Sequence, residues 1–80
     1  MRTYFKHPDE SPNTVFVSAD SNERARLKRR GWRKITREDA IRALRGKTSF
    51  EYALAKCGVG EITQRPFESA ICGGTAASTR

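Results

Sequence analysis

The sequence predicts a small α+β domain. A short antiparallel β-hairpin, of two strands or three, packs against two or three short helices and is followed by a flexible C-terminal tail. Three observations lead there. Two runs of aromatic and β-branched residues near the N-terminus flank a turn-rich segment. Later segments place apolar residues at helical spacing between capping residues. The chain has 80 residues, 36% of them hydrophobic and 31% charged, which suits one small domain. A domain of this size buries only about 60% of its unfolded surface and has no material left for a deep substrate pocket. The domain is expected over residues 1–72, with 73–80 (GGTAASTR) disordered.

Thr3 to Lys6 forms the first β-favouring run, and Thr14 to Ser18 (TVFVS) is the clearest strand. Between them His7 to Asn13 (HPDESPN) carries two prolines with Asp, Ser and Asn, all turn formers. Such a hairpin is marginal alone and needs a helix over one face. Asp20, Ser21 and Asn22 offer three candidate N-caps, and a helix is expected from about Glu23 to Arg30. Glu23 suits its N-terminal dipole and the basic residues suit its C-terminal end. Gly31 supplies the left-handed residue after it, Leu27 is the apolar anchor and Ala25 a smaller contact.

Trp32 to Ile35 reads as a third short strand or an extended connection. Thr36 caps a second helix, with Ala40, Ile41 and Leu44 as its stripe and Gly46 as its C′ residue. Thr48-Ser-Phe-Glu51 matches a capping box for a third helix, whose face is Phe50, Ala53, Leu54 and Cys57, stopped by Gly58. Val59 to Phe67 is ambiguous between a brief strand and a last turn. The candidate core comprises Tyr4, Phe5, Val15, Phe16, Val17, Leu27, Trp32, Ile35, Ile41, Leu44, Phe50, Tyr52, Leu54, Val59, Ile62, Phe67 and Ile71.

Charge is the informative feature. The formal net charge is +7, and all of it lies in residues 1–47, where 13 Lys and Arg face 6 Asp and Glu. Within that half, Arg24 to Arg37 (RARLKRRGWRKITR) holds Arg24, Arg26, Lys28, Arg29, Arg30, Arg33, Lys34 and Arg37 with no acidic residue. Holding these cations together costs self-repulsion, which implies a polyanionic partner. Nucleic acid, DNA or RNA, is the first expectation, because Lys and Arg neutralise phosphates and release counterions. An acidic protein surface is the alternative, and a solvated face with a basic last turn is the bland reading. Trp32 is expected to plug the small core more than to offer a stacking platform for bases.

Other motifs weigh less. Gly46-Lys47-Thr48 matches the end of a phosphate-binding loop, but Ile41 stands where its first glycine belongs. Ala53 to Val59 is similar to the start of a helix-turn-helix, yet Pro66 would break its recognition helix. His7, Asp9, Glu10 and Ser11 lie on a proline turn that holds no base against a nucleophile, so no enzyme is expected and no catalytic residue is assigned. Cys57 and Cys72 are read as reduced thiols, Cys57 in the core and Cys72 in a loose tail. With His7 they are too few and too scattered for a zinc site, so no metal or other cofactor is expected. The uncharged stretch Ser69 to Thr79 is too short and too polar to span a membrane, and the N-terminus lacks the apolar core of a signal peptide. A cytoplasmic protein is the expectation.

Leu27-Lys-Arg-Arg-Gly31-Trp32-Arg-Lys-Ile35-Thr36-Arg-Glu38-Asp39-Ala40, preceded by Tyr4-Phe-Lys-His-Pro8, resembles a pattern of small bacteriophage and prophage accessory proteins. That pattern is a hairpin with an aromatic-x-x-Pro start, then L-x-x-x-G-W-x-x-[IV]-[ST]-x-E-[ED]-A, and it covers residues 3–44. The resemblance implies a hairpin packed on a helix, with Leu27, Trp32 and Ile35 in the core and Thr36 as a cap. It carries no catalytic residues. The chain differs from it in being strongly basic where the pattern carries acidic residues. By analogy, the resemblance implies a phage-encoded protein in the host cytoplasm. Such a protein contacts nucleic acid, or binds and inhibits or redirects a host nucleic-acid machine of the CRISPR or RNA polymerase kind, or serves in virion assembly.

Overall fold

The computed structural model describes residues 2–66 and 70–74. Along the chain come β1 (Thr3–Lys6), β2 (Thr14–Ser18), α1 (Ser21–Arg29), β3 (Arg33–Ile35), α2 (Arg37–Ala43), α3 (Lys47–Cys57), β4 (Gly60–Gln64) and β5 (Ala70–Gly74). The strands form one antiparallel sheet in the order β3-β1-β2-β4-β5. The α+β class is as expected, but the sheet is larger. Trp32–Ile35 contributes β3, the ambiguous segment becomes β4, and β5 has no counterpart in the sequence reading.

The sheet separates two cores. Every residue of β2 is buried, because this central strand is covered on both sides. Its side chains alternate: Val15 and Val17 join Ala40, Leu44, Phe50, Ala53, Ile62 and Ala70 beneath α2 and α3. Phe16 joins Phe5, Leu27 and Trp32 beneath α1 on the opposite face. Trp32 packs its ring edge-on to Phe16 at 5.5 Å between centroids, so it is the expected core plug. Ala25 lies on the exposed side of α1 rather than against the sheet, and Tyr52, Val59 and Ile71 are exposed rather than core. Phe67 lies outside the described residues.

Local hydrogen bonds set the helix ends. Asp20 caps α1 by accepting from the Asn22 N–H, and Thr36 caps α2 by accepting from the Asp39 N–H. After α1, the Gly31 N–H reaches the Lys28 carbonyl and the Trp32 N–H reaches the Leu27 carbonyl, with Gly31 at φ 94°. This is a Schellman closure, and Trp32 and Leu27 supply its hydrophobic contact. The end of α2 repeats the pattern one residue earlier than expected. Arg45 takes the left-handed position at φ 68°, and the Gly46 N–H reaches the Ile41 carbonyl. Gly46 then serves as N-cap of α3, its carbonyl accepting from the Phe50 N–H. The helix therefore starts at Lys47 and the Thr48 capping box does not form. The chain passes from Gly58 into β4, so no helix-turn-helix follows α3.

The cysteines correct the sequence reading. Cys57, at the end of α3, and Cys72, in β5, form a disulfide across 5.5 Å between Cα atoms. They are not reduced thiols, and Cys72 does not sit in a loose tail. Cross-strand pairing of β5 with β4 carries Cys72 to the face that α3 covers, opposite Ile62. Lys56 donates to the Ala70 carbonyl at 3.0 Å beside the bridge. Residues 73 and 74, placed in the expected tail, complete β5; residues 75–80 lie outside the described residues.

A basic surface as candidate functional site

The eight cations of Arg24–Arg37 lie on α1, β3 and the first turn of α2, on two faces of the sheet. In α1, Glu23 and Leu27 point inward. The remaining positions follow from 100° per residue. Arg29 stands on the outer side, Lys28 lies to one side of it and Arg26 to the other, Arg24 is half-buried, and Arg30 is the C-cap residue beyond the helix. In β3 the period of two sends Arg33 and Lys34 to opposite faces. Lys34 pairs opposite Phe5 on the α1 side, and Arg33 pairs opposite Lys6 on the α2 side. Arg37 opens α2, with its guanidinium 5.2 Å from the centroid of the Phe50 ring.

The register of β1 with β3 adds residues that the sequence reading did not name. Lys6 stands directly across from Arg33, an arrangement of like charges that destabilises a sheet. Burial pulls the Lys6 ammonium below its ordinary range, since a charge loses solvation there. Its Nζ donates to the Pro12 carbonyl at 2.7 Å. Lys6, His7, Arg33 and Lys34, with Asp39, line an open hollow of about 390 Å³. A neighbouring hollow of about 490 Å³ is lined by Arg2, Tyr4, Lys34 and Arg37, among others. No local pattern marks Arg2, Lys6 or His7; strand pairing brings them in.

His7 joins the β1–β2 loop to the end of α1. The Asp9 N–H donates to its Nδ1 at 3.0 Å, so Nδ1 accepts and Nε2 carries the proton. Nε2 donates that proton to the Arg30 carbonyl at 3.0 Å. The imidazole also meets Trp32 edge-on at 5.3 Å. Both ring nitrogens serve the backbone, which fixes where α1 ends and where Arg30 emerges.

Counter-ions are scarce. Among the described residues, the recorded ion pair is Arg42–Asp39 at 3.3 Å, and none of the eight cations takes part in it. Glu23 is buried and accepts from the Ser18 hydroxyl at 2.9 Å, so it faces away from them. Asp39 lines the hollow with Arg33 and Lys34, and the Glu10 N–H donates to the His7 carbonyl. Glu61, on β4, lies beside Glu10; its burial and the neighbouring Glu10 carboxyl hold it above the ordinary carboxylate range. Among the described residues, no three His, Cys, Asp or Glu side chains cluster as metal ligands would, and no helix is long and apolar enough to cross a membrane. Compared with protein-family models, curated proteins and solved structures, the chain matches none.

Proposed function

We propose that this domain is a non-enzymatic binding module that grips nucleic-acid phosphates with Arg24, Arg26, Lys28, Arg29, Arg30, Arg33, Lys34 and Arg37, assisted by Arg2 and Lys6. One observation carries the reading: these eight side chains lie together on α1, β3 and the first turn of α2, and none is in a recorded ion pair among the described residues. Phosphates are the fitting counter-charge, since guanidinium forks match their geometry and counterion release rewards each contact. A phage-encoded origin, and action in the host cytoplasm, belong to the same proposal through the hairpin and Gly31-Trp32 module. That compartment keeps thiols reduced. The Cys57–Cys72 bridge joins α3 to β5, four strand spacings or about 19 Å from β3, so the basic surface does not depend on it.

A second reading has its own observation. β3 is a three-residue strand at the edge of the sheet, and an edge strand accepts another strand. An acidic segment of a host nucleic-acid machine would pair there and meet Arg33 and Lys34. Fluorescence titration against duplex and single-stranded oligonucleotides at two salt concentrations tests the first reading. Binding that weakens with salt supports it, and no detectable binding at low salt rules it out. Capture of one stoichiometric protein from nuclease-treated host lysate supports the second instead.

A further inference from the structure

We infer that α1 is a reading helix for the major groove of B-form DNA, with Asn22, Ala25, Arg26 and Arg29 facing base edges; this rests on the phosphate-binding reading above. α1 is the helix on its face of the sheet, with α2 and α3 packed on the other. Its outer side is therefore uncovered by any other described helix. Asn22, Ala25, Arg26 and Arg29 fall at i, i+3, i+4 and i+7 and are all exposed, so they form one outward stripe.

The residue types match the groove. Arg pairs with guanine, Asn with adenine, and a small apolar side chain meets the thymine methyl. Ala25 interrupts the charge where a bulky side chain would hold the helix off the groove floor. Lys28, one step before Arg29, stands about 100° to one side of it and reaches toward one phosphate strand. Nine residues make a helix of about 13.5 Å, enough for about four base pairs at 3.4 Å each. A helix with its side chains is about 10–12 Å wide, which fits a major groove of about 12 Å.

The Asp20 carboxylate at the N-cap disfavours phosphates at that end, so the phosphate contacts fall on the C-terminal half. Beyond Gly31 the chain delivers Lys34 on the same face of the sheet. Duplex RNA is excluded as the preferred partner, because its deep, narrow major groove admits no helix.

The test uses the intact protein. Affinities are measured for B-form DNA, double-stranded RNA and single-stranded DNA of equal length, followed by selection from a randomised DNA duplex. The inference predicts the tightest binding to duplex DNA and an enriched site of about three to four base pairs. Arg29→Ala is expected to lower affinity for that site by about 5- to 150-fold over other sequences. Lys34→Ala is expected to weaken all sequences alike. Equal affinity for duplex RNA, no enriched sequence, or an Arg29→Ala effect independent of sequence would overturn the groove-reading role while leaving phosphate binding standing. No binding to any of the three at low salt would overturn the phosphate-binding reading itself. Unchanged circular dichroism of each exposed-residue variant separates these outcomes from misfolding.

Discussion

Gly31 is where the chain leaves α1 for β3, at φ 94°, and a Cβ added there would lie 3.0 Å from Nε2 of His7. Both facts act against any side chain: left-handed backbone costs an L-residue about 1–2 kcal/mol, and the His7–Arg30 bond occupies the space. Gly31→Ala is predicted to lower unfolding free energy by about 1–2 kcal/mol in urea titration and to misplace Arg30. Glu61 is a residue whose charge opposes folding. Its folded pKa lies above the ordinary 4.5, so the folded chain binds this proton more tightly than the unfolded chain does. The penalty is therefore absent below pH 4.5 and fully present above the folded pKa. Glu61→Gln is predicted to be more stable than wild type at pH 7, with the gap closing as pH falls through the folded pKa toward 4.5. Urea midpoints at pH 7 and pH 4 check it, and a gap equal at both would contradict it.

At the scale of elements, the first two strands and three helices were legible because their signals are local, and β3 was one of two readings of its segment. Tyr4-Phe5 and Val15-Phe16-Val17 alternate onto two covered faces, Thr36 caps where it should, and Gly31 and Gly58 stop their helices. β4 begins at Gly60, and β5 is Ala-Ile-Cys-Gly-Gly, a composition with little strand propensity. Their pairing with β2 and with each other, and the bridge to α3, are long-range interactions that no local window contains. The Thr48 capping box was a valid pattern that failed because Gly46 had already begun the helix. In the basic surface, the eight named cations were legible as a run. Their division between two faces followed from the strand period, and the approach of Lys6 to Arg33 from register alone. Opening the Cys57–Cys72 bridge with a Cys57→Ser, Cys72→Ser double variant is predicted to cost about 3 kcal/mol, for a closed loop of 15 residues. Because β5 is the far edge of the sheet, oligonucleotide affinity of the folded double variant is expected to stay within about twofold of wild type, assuming one phosphate contact or fewer is lost. A loss larger than tenfold would mean that β5 contributes to the binding surface.

The whole molecule measures 32 × 25 × 25 Å, and its net charge of +7 is carried by its first 47 residues. α1, β3 and the start of α2 hold eight of its cations, none in a recorded ion pair among the described residues. A polyanion is steered toward such a concentration of one sign of charge. The salt dependence of oligonucleotide affinity, compared between wild type and a folded variant carrying Lys28→Gln, Arg33→Gln, Lys34→Gln and Arg37→Gln, reads this directly. Wild type is predicted to lose affinity linearly in log[salt], and the variant to show a slope shallower by about four, one for each cation removed. Identical slopes for the two proteins would show that these side chains do not meet phosphates, and the proposed interface would be wrong.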